Sequence, residues 1–253
     1  MTSLAARRHP GLAMRPALFL FALLMPLALL VGCRQQGEWH QFEGVALGTG
    51  YHITLNGELG EDEHALVEAA IQGELASLDS QMDVFQSLLS ASRLPLAGAH
   101  SADAVDSALR EHLQALAVDR LFRVFDDFGI ANAMVEFGGV QRARGTTGRH
   151  PWRVRLPRSG IGSSPEPALR LQDVALVTRT VLRPAGVEDA ATSLVLSVSA
   201  VAASAEAADR LARGLLDAAP DGTLEHPARL VVLTPQGLEL HIGYALEPLL
   251  EAE

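Results

Sequence analysis

The order in which two hydrophobic periodicities follow one another limits what this chain can become. Ile71, Leu75, Leu78, Met82 and Phe85 recur at spacings of 4, 3, 4 and 3, the stripe of an amphipathic helix. Glu61, Asp62 and Glu63 precede it, placed for the positive end of the helix dipole. Val105, Leu109, Leu113, Leu116 and Leu121 mark a second helix over about 102–128, with Gly129 as its terminating glycine. A third helix is expected over Ala205 to Ala218. Between them lie β-forming runs. Phe42 to Leu55 is one, interrupted by Gly48 and Gly50 as if for a bulge or a close backbone approach. Others are Ala133 to Phe137, Val140 to Arg144, Trp152 to Leu156, Leu169 to Leu182 and Thr192 to Val201. Leu230 to Thr234 and Leu238 to Ile242 flank Pro235-Gln236-Gly237 as a hairpin. Leu94 to His100 and Gly160 to Pro167 read as loops, and no repeat is evident. Helices and strands come in mixed runs without a steady βαβ alternation. The expected class is therefore α+β, with mixed or antiparallel sheets packed with helices, rather than a doubly wound sheet.

Charge narrows the function. All 20 basic residues are arginine, and there is no lysine. A Walker A lysine, a Schiff-base lysine and a Ser-Lys dyad are excluded. The formal charge of −10 argues against a nucleic-acid partner, which would require a basic face. A single cysteine excludes an internal disulfide and a cysteine-rich zinc site.

That cysteine closes an N-terminal leader. Arg7, Arg8 and Arg15 come first, no acid falls within residues 1–32, and an apolar run extends from Ala17 to Val31. The run is short for a membrane span and fits an export signal. Leu30-Val31-Gly32-Cys33 resembles a bacterial lipobox. The resemblance implies cleavage before Cys33 and acylation of its thiol and amine. The alternative is a free cysteine ending an uncleaved anchor. Several acyl chains on one residue anchor stably where one chain does not. The expected organisation is a signal peptide over 1–32, a lipidated tether over 33–41 and one α+β domain over 42–253. The mature chain would carry 17 arginines against 30 acids, a charge of −13. Its expected place is the bacterial envelope, lipid-anchored and facing the periplasm. Arg34 leaves inner and outer membrane both open.

Motif chemistry is sparse. The nine histidines include no i, i+4 pair of a zinc helix. Gly160-Ile161-Gly162 lacks a third glycine, and no G-x-S-x-G elbow is present. Gly138-Gly139 stands between two β-forming runs. It predicts a tight turn that nears another segment or a ligand, with a plain hairpin turn as the alternative.

Several segments in order resemble the FAD:protein FMN transferase family, the ApbE-like periplasmic flavin transferases. Phe42-Glu43-Gly44-Val45-Ala46-Leu47-Gly48-Thr49 resembles the family's opening G-x-A-M-G-T strand. Leu78 to Met82 with Phe85, then Leu89 to Arg93, resembles its first helix and the S-E-L-S-R-F loop. Ala117-Val118-Asp119 matches the end of the D-L-S-A-x-A-K-G-x-A-V-D helix. Val135 to Gly145 resembles the E-I-G-G-E-x-R-A-x-G hairpin, and Pro151-Trp152-Arg153-Val154 the strand after it. Ala175 to Thr178 sits at A-x-A-T-S-G, and Ser204 to Leu215 at the A-x-x-A-D-x-L-A-T-A-L helix. The resemblance implies a shortened ApbE-like fold. It also implies FAD and Mg2+ as cofactors, a flavoprotein acceptor as partner, and transfer of FMN to an acceptor threonine with AMP leaving. It places the flavin nucleotide against Leu47, Phe85, Gln114, Glu136, Gly138, Gly139 and Thr178, and Mg2+ at Asp209.

The sequence departs from this pattern where the chemistry should be. The family aspartate falls on Ala108 and its lysine on Gln114. The Ser-Gly after Thr178 is replaced by Arg179-Thr180, and the H-I-x-D-P-x-T-G segment shrinks to Arg183-Pro184-Ala185-Gly186. The threonine four residues after Asp209 is Arg213, and a stretch between Leu96 and Val105 is largely deleted. Arg213 could replace Mg2+ as Asp209's partner, or hold a phosphate directly. Three readings stand: a transferase of weak or lost activity, a non-catalytic lipid-anchored flavin-binding or assembly partner of an envelope flavoprotein complex, and a degenerate remnant with no ligand.

Overall fold

In a computed structural model of the chain, the described residues are 37–92, 102–159, 167–181, 193–217 and 224–251. Strand β1 (Glu38–Ala46) pairs antiparallel with β2 (Thr49–Gly57), register Ala46↔Thr49. The single run expected over Phe42 to Leu55 is thus a hairpin, and its glycines serve a turn rather than a bulge. Leu47 and Gly48 both have positive φ, 47° and 73°, as a two-residue hairpin turn requires. Leu47 tolerates this because it is buried and its amide donates to Asp79 Oδ1 at 2.7 Å. Residues 38–41, expected in the tether, form the first half of β1.

Helix α1 (Glu61–Ser92) buries Val67, Ile71, Leu75, Leu78 and Met82, the expected stripe continued one turn back. It runs to Ser92, so Leu89 to Ser92, matched to a family loop, is helical here. Helix α2 (Ala102–Asp127) ends as its glycine predicts. Gly129 takes φ 65°, its amide donates to Asp126 O at 3.0 Å, and Ile130 N reaches Phe125 O at 2.9 Å. This pair of bonds is a Schellman closure.

The remaining strands are β3 (Ala133–Phe137), β4 (Val140–Arg144), β5 (Trp152–Arg155), β6 (Ala168–Leu171), β7 (Val174–Thr180), β8 (Leu194–Ala202), β9 (Ala228–Thr234) and β10 (Gly237–Ile242). Helix α3 (Ala205–Asp217) lies between β8 and β9. The run expected over Leu169 to Leu182 is two strands, β6 and β7, separated at Asp173, where φ is 56°. Their membership differs: β7 joins an eight-stranded sheet ordered β1-β2-β3-β4-β7-β8-β9-β10, while β6 forms a two-stranded sheet with β5. Every pairing is antiparallel.

Alternation along the strands produces two cores. Ile53, Val135, Phe137, Val177, Val198 and Val232 face one cluster with Leu78 and Leu121, and with Ala208 and Ala212 of α3. Ala143, Leu176 and Val201 face a smaller cluster with Trp152, Val154, Leu169 and Leu171 of the β5–β6 pair. Helices thus cover one sheet face and a small hairpin part of the other, the α+β arrangement expected. Gly37–Glu253 is one compact unit. The leader with Cys33, the loop at 94–100, Gly160 to Gly162 and Arg183 to Gly186 lie outside the described residues.

Candidate functional site

The β3–β4 turn places Gly138 and Gly139 against two neighbours. Gly138 has φ 61°, and a Cβ there would lie 2.7 Å from Gln114 Oε1 on α2. A Cβ at Gly139 would lie 2.5 Å from the Thr178 carbonyl, and Thr178 N donates to Gly139 O at 2.8 Å. The turn therefore meets both α2 and β7, as the close-approach reading expected. The β1–β2 turn reaches the same helix, since a Cβ at Gly48 would stand 2.9 Å from Arg110 Nη1.

Beside these turns is a buried ionic cluster. Arg179 lies on β7 in register with Ala175 and Val177, so strand alternation turns it toward the helices. It is 4% exposed, and Asp209 on α3 is 1% exposed. Arg179 Nε donates to Asp209 Oδ1 at 2.8 Å, and Nη2 approaches the same oxygen at 2.7 Å. Arg179 Nη2 also donates to the Glu111 carbonyl at 2.9 Å. Arg213 sits one turn beyond Asp209, and its Nε donates to Oδ2 at 3.0 Å. Arg213 Nη2 reaches the Ala108 carbonyl at 3.1 Å and Glu111 Oε2 at 3.4 Å. His112 Nδ1 stands 3.6 Å from Asp209 Oδ2. Two guanidinium groups are thereby balanced by the carboxylates of Asp209 and Glu111.

These residues do not fit a divalent cation. Both oxygens of Asp209 already accept from guanidinium groups. No group of three or more His, Cys, Asp or Glu able to hold a metal occurs among the described residues. At about 4 Å and an effective dielectric of about 20, a dication would be repelled by each guanidinium by roughly 8 kcal/mol. The Mg2+ position implied at Asp209 is filled by arginine.

The other expected site residues divide between the two faces of the sheet. Phe85 lines an open groove of about 540 Å3 with Val105, Ala108, Leu109, His112, Asp209 and Arg213. Gln114 is buried beside Gly138, and Leu47 is buried under the first turn. Glu136 alternates with the buried Val135 and Phe137, so it stands on the face away from the helices, where Gln141 Nε2 donates to it at 3.2 Å. The Thr178 side chain takes that face too, its hydroxyl 2.9 Å from Ser199 Oγ. Leu47, Phe85, Gln114, Gly138, Gly139 and Asp209 thus surround the helix side, and Glu136 and Thr178 do not join them there. Sequence reasoning missed Arg179, Glu111 and Arg110. Arg179 had a readable signal: an arginine two residues beyond Val177, in the register of a buried strand face.

The ApbE family's sequence profile matches residues 113–183. That stretch holds Gln114, Glu136, Gly138, Gly139, Thr178 and Arg179 and stops before α3. No curated protein sequence matches the chain. Solved structures share its fold across most of its length. The flavinyl transferase ApbE of Pseudomonas stutzeri, apo form, aligns with a TM-score of 0.63 at 16% identity, covering 86% of this chain and 98% of its own. The flavin transferase ApbE of Vibrio cholerae gives 0.58 at 16%, covering 84% and 99%. The ApbE protein of Thermotoga maritima gives 0.58 at 16%, covering 85% and 100%. The fold is that of the flavin transferases. The profile match adds a local sequence likeness to the ApbE family over 113–183.

Proposed function

We propose that this chain is a lipid-anchored flavin transferase homologue of the bacterial envelope that binds a flavin nucleotide but has lost Mg2+-dependent transfer of FMN. One observation carries this reading: the guanidinium groups of Arg179 and Arg213 hold both oxygens of Asp209. The flavin transferase fold and the profile over 113–183 support a flavin ligand. The groove beside Phe85 supplies an apolar wall for it. The Cys33 leader supports a lipid anchor facing the periplasm. Its partner is then a flavoprotein of the same compartment, which the chain serves by binding rather than by catalysis.

Two measurements on the purified chain test this. Titration with FAD should quench flavin fluorescence with or without Mg2+, and incubation with Mg2+ should release no AMP above the uncatalysed rate. Brisk Mg2+-dependent AMP release would reinstate the transferase, and absent quenching would remove the flavin. Cys33→Ala should abolish acyl labelling and leave uncleaved precursor, whereas equal labelling of both chains would refute the anchor.

A further inference from the structure

A second cleft, of about 320 Å3, lies between the last turns of α2, strand β4 and the start of α3. Four arginines line it: Arg123 on α2, Arg142 and Arg144 on β4, and Arg210 on α3. Facing them are Asp119, Asp126 and Glu206, in a chain whose overall charge is −10. Most of these charges are already engaged. Arg142 Nη1 donates to Asp119 Oδ1 at 2.5 Å while its guanidinium lies 4.4 Å over the Phe122 ring. Arg144 donates to Asp126 and to the Ile130 carbonyl. The start of α3 is closed too, since Asp119 accepts from Ala205 N at 2.8 Å and Glu206 N at 3.0 Å. The helix end therefore supplies no free donors.

What is left over is cationic. Arg123 and Arg210, both exposed, have no acceptor among the described residues. Against them stands one carboxylate, Glu206, so the unengaged charge of the cleft is positive. Arg144 Nε is buried and also lacks an acceptor among the described residues. A buried N–H without a partner is costly, so the Arg144 side chain is held at the cleft wall by its other bonds. Guanidinium forks match the spacing of phosphate oxygens and are weakly hydrated, so they exchange water for an oxyanion readily. The cleft's volume is at the small end for ligand sites, suited to one compact group.

We infer that this cleft binds a phosphoryl group, gripped by Arg123 and Arg210. It shares only Arg210 with the groove beside Phe85, and it does not depend on a flavin being bound there.

The test is calorimetric titration of the full chain, in detergent at fixed ionic strength, with inorganic phosphate, glycerol 3-phosphate and acetate. Phosphate should bind, and Arg123→Ala with Arg210→Ala should weaken it by about tenfold for each guanidinium removed. Melting should be unchanged, because neither side chain has a partner to lose among the described residues. Tighter binding of glycerol 3-phosphate, lost equally in the double variant, would support the cleft and assign the phosphoryl group to an ester such as a lipid headgroup. Acetate binding as tight as phosphate, binding unaltered in the double variant, or no binding of either phosphate would overturn the inference.

Discussion

Truncating Arg179 tests whether the ionic cluster is what joins β7 to α3. Arg179→Ala removes two approaches to Asp209 Oδ1, at 2.8 and 2.7 Å, and the 2.9 Å bond to the Glu111 carbonyl. Asp209 is 1% exposed, so water cannot replace what it loses. Arg213, 32% exposed on its side chain, remains its one guanidinium partner at 3.0 Å. Breaking a buried pair by removing one partner costs about 3–5 kcal/mol, against a typical domain stability of about 5–15 kcal/mol. For a body of this size, about 2–4 °C is lost per kcal/mol, so the melting temperature should fall by about 10 °C. Arg179→Met with Asp209→Leu removes both charges and keeps the volume filled. That double variant should recover most of the loss, because a well-packed apolar pair is often no less stable than a buried ion pair. Thermal melts of wild type, the Arg179→Met and Asp209→Leu single variants, and the double variant complete the cycle. An Arg179→Ala melt within about 1 kcal/mol of wild type, or strictly additive single variants, would show that the cluster is an incidental contact.

The same cluster predicts metal behaviour: wild type should show no Mg2+ heat, whereas Arg179→Ser with Arg213→Thr should expose Asp209 and give measurable Mg2+ binding by calorimetry. At the β3–β4 turn, Gly139→Ala drives a Cβ to 2.5 Å from a backbone carbonyl and should cost about 2 kcal/mol in denaturant melts. Gly138→Asn meets only the movable end of Gln114, and Asn tolerates positive φ, so its cost should be smaller. The Arg110 guanidinium beside Asp106 holds that carboxyl below its ordinary range, with Gln86 adding to the effect and burial opposing it. A depressed carboxyl contributes stability above its unfolded value of about 3.9 and loses it as pH falls through the folded value. Asp106→Asn should therefore flatten the acid limb of a melting-temperature profile below about pH 4, and an unchanged limb would count against the pair.

Much of the fold was legible because long apolar stripes and caps are local. The α1 stripe, the Gly129 closure and the β3–β4 hairpin needed only neighbours within a few residues. The errors came where strands change partner. Nothing within Leu169 to Leu182 says that Leu171 packs under Trp152 while Val177 packs under the helices; that division is tertiary. In Phe42 to Leu55, a leucine at positive φ hid the turn, since such a turn is ordinarily announced by Asn or Gly at both positions. At the site, Arg213's pairing with Asp209 followed from helical spacing. Arg179 lies thirty residues before Asp209, and their contact required the packing of β7 against α3 to become visible.

The wiring of the large sheet has a consequence for how such a chain can diverge. Each strand lies beside the one that precedes or follows it in the chain, except where β5 and β6 form an excursion between β4 and β7. No strand must thread between two others already paired, and no crossover depends on a particular connecting segment. Connections can shorten or change composition while the ladder on either side still zips up by short-range closure. Chemistry carried on those connections and on helix surfaces is then free to drift independently of the architecture. A shared fold over 85–86% of the chain at 16% identity is what that decoupling looks like.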